Sequence, residues 1–478
     1  MPAPETDLAI RALAFAHLLA ASGVTVHALL NKQDVRAAIG WIGLAWLSPV
    51  LGCIFYWLFG INRVSRLAAS MNLSADRVAG KIGTRHATDN TTTIVSHLSA
   101  LAIVGERITG RPLTPGNKVQ LLRSGDEAYP AMLAAIHSAS RGVALASYLF
   151  RADASGRLFI DALAEARARG VEVRVLIDGV GGGYVFSLAA RALRARGVTV
   201  ARFLHDWIPW RMPLLNMRNH RKLLIVDGSV AFTGGLNIGA ENVAATHHVE
   251  HVDDVHFRVE GPVVTQLMAA FAQDWKFTTG EDLQDAPWYP HIAPNGRAIA
   301  RGISEGPDAD LDKLEILLLA AIGEARSRIR IVTPYFLPDQ RLLSALAIAA
   351  LRGVSVQIAI PEHSNKPVVD WASRAQLLEI VDSGCKVFLM PAPFDHAKLM
   401  TVDGLWSLVG SANWDERSLR LNFEFNLEIY DGNVAGDIES LVDSKVTRGR
   451  PLTGDDLRAR AWPAKLRDAA ARLLLPYL

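Results

Sequence analysis

Two cysteines in 478 residues, Cys53 and Cys385, exclude a fold stapled by disulfides, and Cys53 lies inside an apolar run. An excess of one charge is also missing. Fifty lysines and arginines face 48 aspartates and glutamates, so the balance gives no reason to expect nucleic acid as a partner. Charge is absent altogether from residues 37–61, AAIGWIGLAWLSPVLGCIFYWLFGI. As a single helix this run would be about 37 Å long and would cross a bilayer core. Trp41, Trp46, Tyr56 and Trp57 would form the aromatic belt at its ends, with Pro49 as a kink. Residues 12–30 also lack charge, although they include His17 and His27. The second run follows so closely that a helical hairpin is favoured over a cleaved signal peptide. Two spans are expected within 1–61. Lys32 and Arg36 lie between the runs, and Arg63, Arg66, Arg77, Lys81 and Arg85 follow in a basic linker over 62–115. The positive-inside rule then places everything after residue 61 in the cytoplasm.

Beyond residue 115 the chain alternates strands and helices, and it does so twice. RGVALASYLF (141–150) corresponds to SRIRIVTPYF (327–336), and ARARGVEVRVLID (166–178) to AALRGVSVQIAIP (349–361). RARGVTVARFL (194–204) corresponds to VDSGCKVFLM (381–390). Near-continuous apolar strands between helices indicate an α/β fold, with mixed sheets flanked by helices. The repeat predicts two tandem domains, 116–285 and 300–478, related by a pseudo-twofold axis.

Each half carries His-x-Lys-x-x-x-x-Asp: His220, Lys222 and Asp227, then His396, Lys398 and Asp403. Seventeen residues beyond each histidine stands an asparagine in a glycine-bearing turn, Asn237 or Asn413. At this composition a chance match is expected on the order of 0.02 times per chain. Each motif reads as a strand, an Asp-Gly turn and a returning strand. Residues two apart on a strand share a face, so each histidine and lysine point together. The aspartate has the opposite parity and opens the turn, so it is expected to hold the hairpin rather than take part in chemistry.

Two histidines and two lysines brought together can open a phosphodiester without a metal. Lys222 and Lys398 would neutralise the non-bridging oxygens, with the Asn237 and Asn413 amides as fixed donors. One imidazole would attack phosphorus, while the other protonates the departing alkoxide and then deprotonates the incoming hydroxyl. A carboxylate behind each ring would fix its tautomer, and Asp254 and Glu424 occupy matching places in the two halves. A competing string, His247-His248-Val249-Glu250-His251, fits a zinc-peptidase pattern. The residues after it alternate as a strand rather than a helix, so it reads as a loop, and no metal is assigned.

These motifs resemble the phospholipase D superfamily and, within it, bacterial cardiolipin synthases. NHRKLLIVDG, TGGLNIG, DVHFRVEGP and FAQDWKFTTGE carry the likeness in the first half, and VTPYFLPD, DHAKLMTVDG, GSANWDERS and LNFEFN in the second. FYWLFGINR and the terminal ARLLLPYL fit as well. The resemblance implies a multi-pass inner-membrane enzyme that uses no cofactor. It would transfer a phosphatidyl group between two phosphatidylglycerols in the bilayer, giving cardiolipin and glycerol through a phosphohistidine. His220, Lys222, Asp227, His396, Lys398 and Asp403 would be its active-site set, with His220 as nucleophile and His396 as acid and base. The alternative is a membrane-bound phosphodiesterase that hands the group to water or another headgroup alcohol. Two residues depart from the family pattern. Asp395 could raise the pKa of His396 or face solvent, and Trp414 could alter the lipid channel.

Overall fold

The computed structural model describes residues 4–32, 35–48, 50–60, 96–205, 217–244, 251–284, 287–307, 310 and 312–473. The chain divides into two compact units, 1–67 and 68–478.

In the first unit Pro4–Asn31 forms one continuous helix. Within it Arg11–Asn31 is, among the described residues, the one stretch long and apolar enough to cross a membrane. The second apolar run, expected to span as a single 25-residue helix, is broken. Helix Val35–Leu47 stops, a short helix Leu51–Phe55 follows, and a π turn covers Tyr56–Gly60. The break falls between Leu47 and Leu51, where the sequence holds a proline, a residue with no N–H to continue a helix. Next to it Val50 takes the left-handed backbone, φ 65°. The segments fold back on the first helix, where Trp46 Nε1 donates to Thr25 Oγ1 at 2.9 Å. Two spans, and with them a multi-pass topology, are therefore not supported.

The second unit is organised by one sheet that runs through both halves. Read outward from its centre, the first half contributes Thr114–Arg123, Val255–Glu260, Val230–Gly234, Leu223–Val226, Gly142–Ser147, Glu172–Asp178 and Thr199–Phe203. The second half contributes, in the same order, Ala298–Glu305, Asn422–Tyr430, Trp406–Gly410, Leu399–Val402, Arg328–Val332, Ser355–Pro361 and Lys386–Met390. The last two of these steps on each side are parallel and the others antiparallel, and in the second half Arg450–Leu452 adds an antiparallel edge beyond Lys386–Met390. The halves join through antiparallel pairing of Thr114 with Ala300 and Asn117 with Ala298. All three sequence correspondences between the halves fall on equivalent strands.

Helices cover each half and close an apolar core. In the first half Leu145, Phe159, Leu163, Val175 and Phe232 are buried together, and in the second Leu317, Ile331, Leu346, Ile358 and Trp406. The expected linker over 62–115 is, from Ser96 on, built into the second half's core. Helix Ser99–Thr109 places Leu101 and Ala102 against it. Gly105 is needed there, because a Cβ would sit 2.0 Å from the Arg301 guanidinium. Arg301 is fully buried and paired with Glu428, a pair whose loss from one side costs about 3–5 kcal/mol.

Candidate active site

Both motif hairpins form as the sequence predicts. Asp227 and Gly228 have φ of 51° and 65°, and Asp403 and Gly404 have 55° and 67°, the paired positive values of a tight hairpin turn. The Asp227 carboxylate accepts from the backbone N–H of Ser140, Arg141 and Gly142. That of Asp403 accepts from Arg326, Ser327 and Arg328, and lies 3.0 Å from His97 Nε2. Burial alone would raise Asp403, but the backbone donors override it and hold the group at about 2. Each aspartate thus ties a hairpin tip to the start of the neighbouring strand. Each is bound at its hairpin tip, so the structure does not bring these two members of the motif to the histidines and lysines.

The histidines and lysines stand just ahead of the hairpin strands, not on them as expected. Here the chain changes partners. Asn219 pairs with Phe423 of the other half, whereas Leu223 pairs with Thr233 of its own. The second half repeats this, with Asp395 paired to Val252–Asp253 and Leu399 to Val409. Backbone bonds seal the exchange, His220 N donating to Phe423 O at 2.9 Å and His396 N to Asp253 O at 2.7 Å.

The consequence is a crossed site. His220 Nδ1 lies 2.9 Å from Glu424 of the second half, and His396 Nδ1 lies 2.8 Å from Asp254 of the first. Ser411 Oγ donates to Glu424 at 2.6 Å and Asn422 Nδ2 at 3.1 Å, which fixes that carboxylate. Opposite it, Val255 N donates to Asp254 at 2.7 Å, and Gly235 leaves room where a Cβ would sit 2.2 Å from Asp254 Oδ1. Lys222 Nζ donates to His220 O at 2.7 Å, and Lys398 Nζ lies 2.9 Å from His396 Nδ1. Sequence reasoning missed two rings. Tyr148 packs edge-on to His220 at 4.9 Å and Tyr335 to His396 at 6.3 Å. Their places just after strands Gly142–Ser147 and Arg328–Val332 were the available signal.

Both histidines, Asn237, Asn413 and both tyrosines line one open cleft of about 1130 Å³. Desolvation and the nearby lysines hold both imidazoles well below their ordinary value. Burial also lowers Lys222 to about 7 and Lys398 to about 8, against the pull of Glu424 and Asp254. Burial raises Asp254 to about 6 and Glu424 to about 7, against the lysines. A site so poised gains charge when an anion enters, because a phosphodiester favours the protonated lysines.

The two departures play other parts than those expected. Asp395 neither faces solvent nor raises His396. It is buried, turns away from the ring and pairs with Lys445 Nζ at 2.5 Å. Neighbours on an extended chain point to opposite sides, which is why. Trp414 does not line the cleft but stacks on Phe336 within the second core. Most of the His247–His251 string, residues 247–250, lies outside the described residues; His251 lies 3.1 Å from Glu241 O at the cleft wall.

The sequence model of the family described as "Cardiolipin synthase, PLD-like domain" matches residues 132–275 and 318–445, one stretch in each half. A cardiolipin synthase of Geobacillus kaustophilus is 30% identical over 478 residues, covering 97% of this chain and 94% of its own. One from Listeria monocytogenes is 30% identical over 470 residues, covering 95% and 96%. Among solved structures, phosphatidylserine synthase from Haemophilus influenzae matches with a TM-score of 0.59 at 15% identity. That match covers 79% of this chain and 100% of the other, a likeness of fold.

Proposed function

The chain belongs to the cardiolipin synthase family with phospholipase D-like domains, and on that premise we propose that it joins two phosphatidylglycerols into cardiolipin with release of glycerol. The observation that carries this reading is the crossed pair of histidines, each backed by the other half's carboxylate, on one cleft. Both halves are then needed for a single reaction centre.

Proton placement supports distinct roles. His220 Nδ1 lies near two acceptors, Glu424 and, at 3.1 Å, Ser411 O, so its proton resides there and the Nε2 lone pair is free to attack. His396 Nδ1 meets both the Asp254 acceptor and the Lys398 ammonium, an environment that lets its proton load change. In the first step His220 Nε2 forms a bond to phosphorus and the bond to the glycerol oxygen breaks. The departing alkoxide takes its proton from His396. In the second step the hydroxyl of another phosphatidylglycerol gives its proton to His396 and bonds phosphorus, and the P–N bond breaks. Lys222, Lys398, Asn237 and Asn413 would hold the non-bridging oxygens throughout. The apolar helix Arg11–Asn31 would keep the protein at the membrane, where the lipid acceptor is concentrated, with the cleft on the cytoplasmic side.

Purified full-length protein incubated with labelled phosphatidylglycerol in detergent micelles tests this reading. Cardiolipin and free glycerol should form with ping-pong kinetics and without inhibition by chelator. Phosphatidic acid as the main product would replace the transferase reading with a hydrolase.

A further inference from the structure

The pseudo-twofold relation fails at the rings beside the two histidines. Leu223 and Leu399 stand at the same distance beyond their motif histidines and pair with Ala146 and Val332. The next residues match as well, Ser147 Oγ donating to Leu149 O at 2.6 Å and Thr333 Oγ1 to Tyr335 O at 3.0 Å. That register sets Tyr148 against Pro334, and Tyr335 against Leu149. The two tyrosines are therefore one position out of step, and neither ring has a counterpart in the other half.

Their contacts differ to match. The Tyr148 ring meets two members of one motif, with the His220 ring centred 4.9 Å away and Lys222 Nζ 5.3 Å over it. Lys222 is held between this ring and His220 O, so ring, imidazole and ammonium form one packed group. The ring is confined from another side, since a Cβ at Gly181 would lie 2.5 Å from its Cε2. Its hydroxyl accepts from Arg218 and takes no part in either ring contact. Tyr335 is built differently. Its hydroxyl donates to Asn365 at 2.6 Å, and the ammonium over its ring, at 5.0 Å, is that of Lys366, outside the motif. Its ring is centred 6.3 Å from that of His396.

Under the function proposed above, on which this rests, attack by His220 needs two groups aligned at once. Its Nε2 must point at phosphorus while Lys222 meets a non-bridging oxygen of the same phosphate. Glu424 anchors one edge of the imidazole, but the long lysine stem needs an anchor of its own. An aromatic ring supplies it, because its face attracts an ammonium and its surface packs against an imidazole. We propose that Tyr148 is a positioning residue for the first step, setting His220 Nε2 and the Lys222 ammonium on one phosphate. The second half places Pro334 at this register, so the duplicated site is arranged for attack from His220.

A donor that needs no general acid isolates this step. With phosphatidyl-p-nitrophenol in detergent micelles, His220 Nε2 bonds phosphorus and p-nitrophenolate departs with the electron pair, without a proton from His396. The donor carries no hydroxyl to take the phosphatidyl group onward, so full-length protein releases p-nitrophenolate in a burst. Burst amplitude counts competent sites and burst rate reads the attack, so reduced folding lowers the amplitude alone. Tyr148→Leu and the less disruptive Tyr148→Met should each slow the burst about 10–10²-fold, for loss of the ring's two contacts. Tyr148→Phe keeps the ring and should stay within about threefold of wild type. Tyr335→Leu should stay within about twofold, because His396 has no proton to give here. Wild-type burst rates in Tyr148→Leu and Tyr148→Met, or a Tyr148→Phe as slow as they are, overturn the role of Tyr148 alone. Equal slowing by Tyr335→Leu overturns it too. A wild-type protein that forms no covalent adduct with this donor overturns the parent reading and this one together.

Discussion

The two halves repeat one another where chemistry is expected and diverge just behind it. His220 and His396, Lys222 and Lys398, Asn237 and Asn413 all have equivalents. The residues behind them stand at matching places but differ in kind. Ahead of the histidine, Asn219 donates to Asp274 at 2.8 Å in the first half, whereas Asp395 accepts from Lys445 in the second. The polarity of the bond to the covering helix is inverted. Behind the carboxylates, Gly235 yields space to Asp254 where Ser411 bonds Glu424. Duplication supplied two equal sets of reactive groups, and their different surroundings allow two equal imidazoles to take unequal tasks. The crossing of carboxylates makes neither half sufficient alone.

Removing one reactive group should break this comparison most severely. His220→Ala or His396→Ala is expected to lower cardiolipin formation by about 10⁴-fold or more, in steady-state assays of folded protein. Next come the crossed carboxylates. Glu424→Gln and Asp254→Asn should each cost about 10²–10⁴-fold in kcat, as loss of the group that orients an imidazole does. If Glu424→Gln left activity near wild type, the cross-half pairing would have no role.

A pH profile sharpens the comparison at smaller amplitude. The carboxylates accept an imidazole proton only when ionised, so activity should fall as pH drops through about 7 and 6, the values of Glu424 and Asp254. The lysines bind an anion only when protonated, so kcat/KM should fall as pH rises through about 7 and 8, the values of Lys222 and Lys398. Bound phosphodiester holds the lysines charged, so the alkaline limb should move upward in kcat. The smallest effect on chemistry is expected at the hairpin tips. Asp227→Asn and Asp403→Asn should lower Tm, each costing about 1–3 kcal/mol, while kcat per folded molecule changes little. Asp403 is depressed in the folded state, so its contribution is present above its unfolded value and is lost as pH falls toward about 2.

Local signals account for what the sequence made legible. The repeat and the Asp-Gly hairpins follow from short-range periodicity. The place of Asp227 and Asp403 followed from parity. The partner of each carboxylate did not, because the exchange rests on two-residue strands, and the carboxylates reach histidines 204 and 142 positions away, too far to leave a local pattern. Asp395 was misread for the same reason, its partner lying fifty residues on. Trp414 was assigned to the cleft by its neighbour Asn413, although its bulk fills the core. Hydropathy alone ranked the second apolar run above the first, and the break between Leu47 and Leu51 reversed that order.

The most direct test is the site of the covalent adduct. Full-length protein mixed with phosphatidylglycerol, quenched in alkali and digested, should carry the phosphatidyl group on the peptide containing His220, and Glu424→Gln should slow its appearance. An adduct on His396 would overturn the assigned roles, and one that forms at the wild-type rate in Glu424→Gln would contradict a single site built across the two halves.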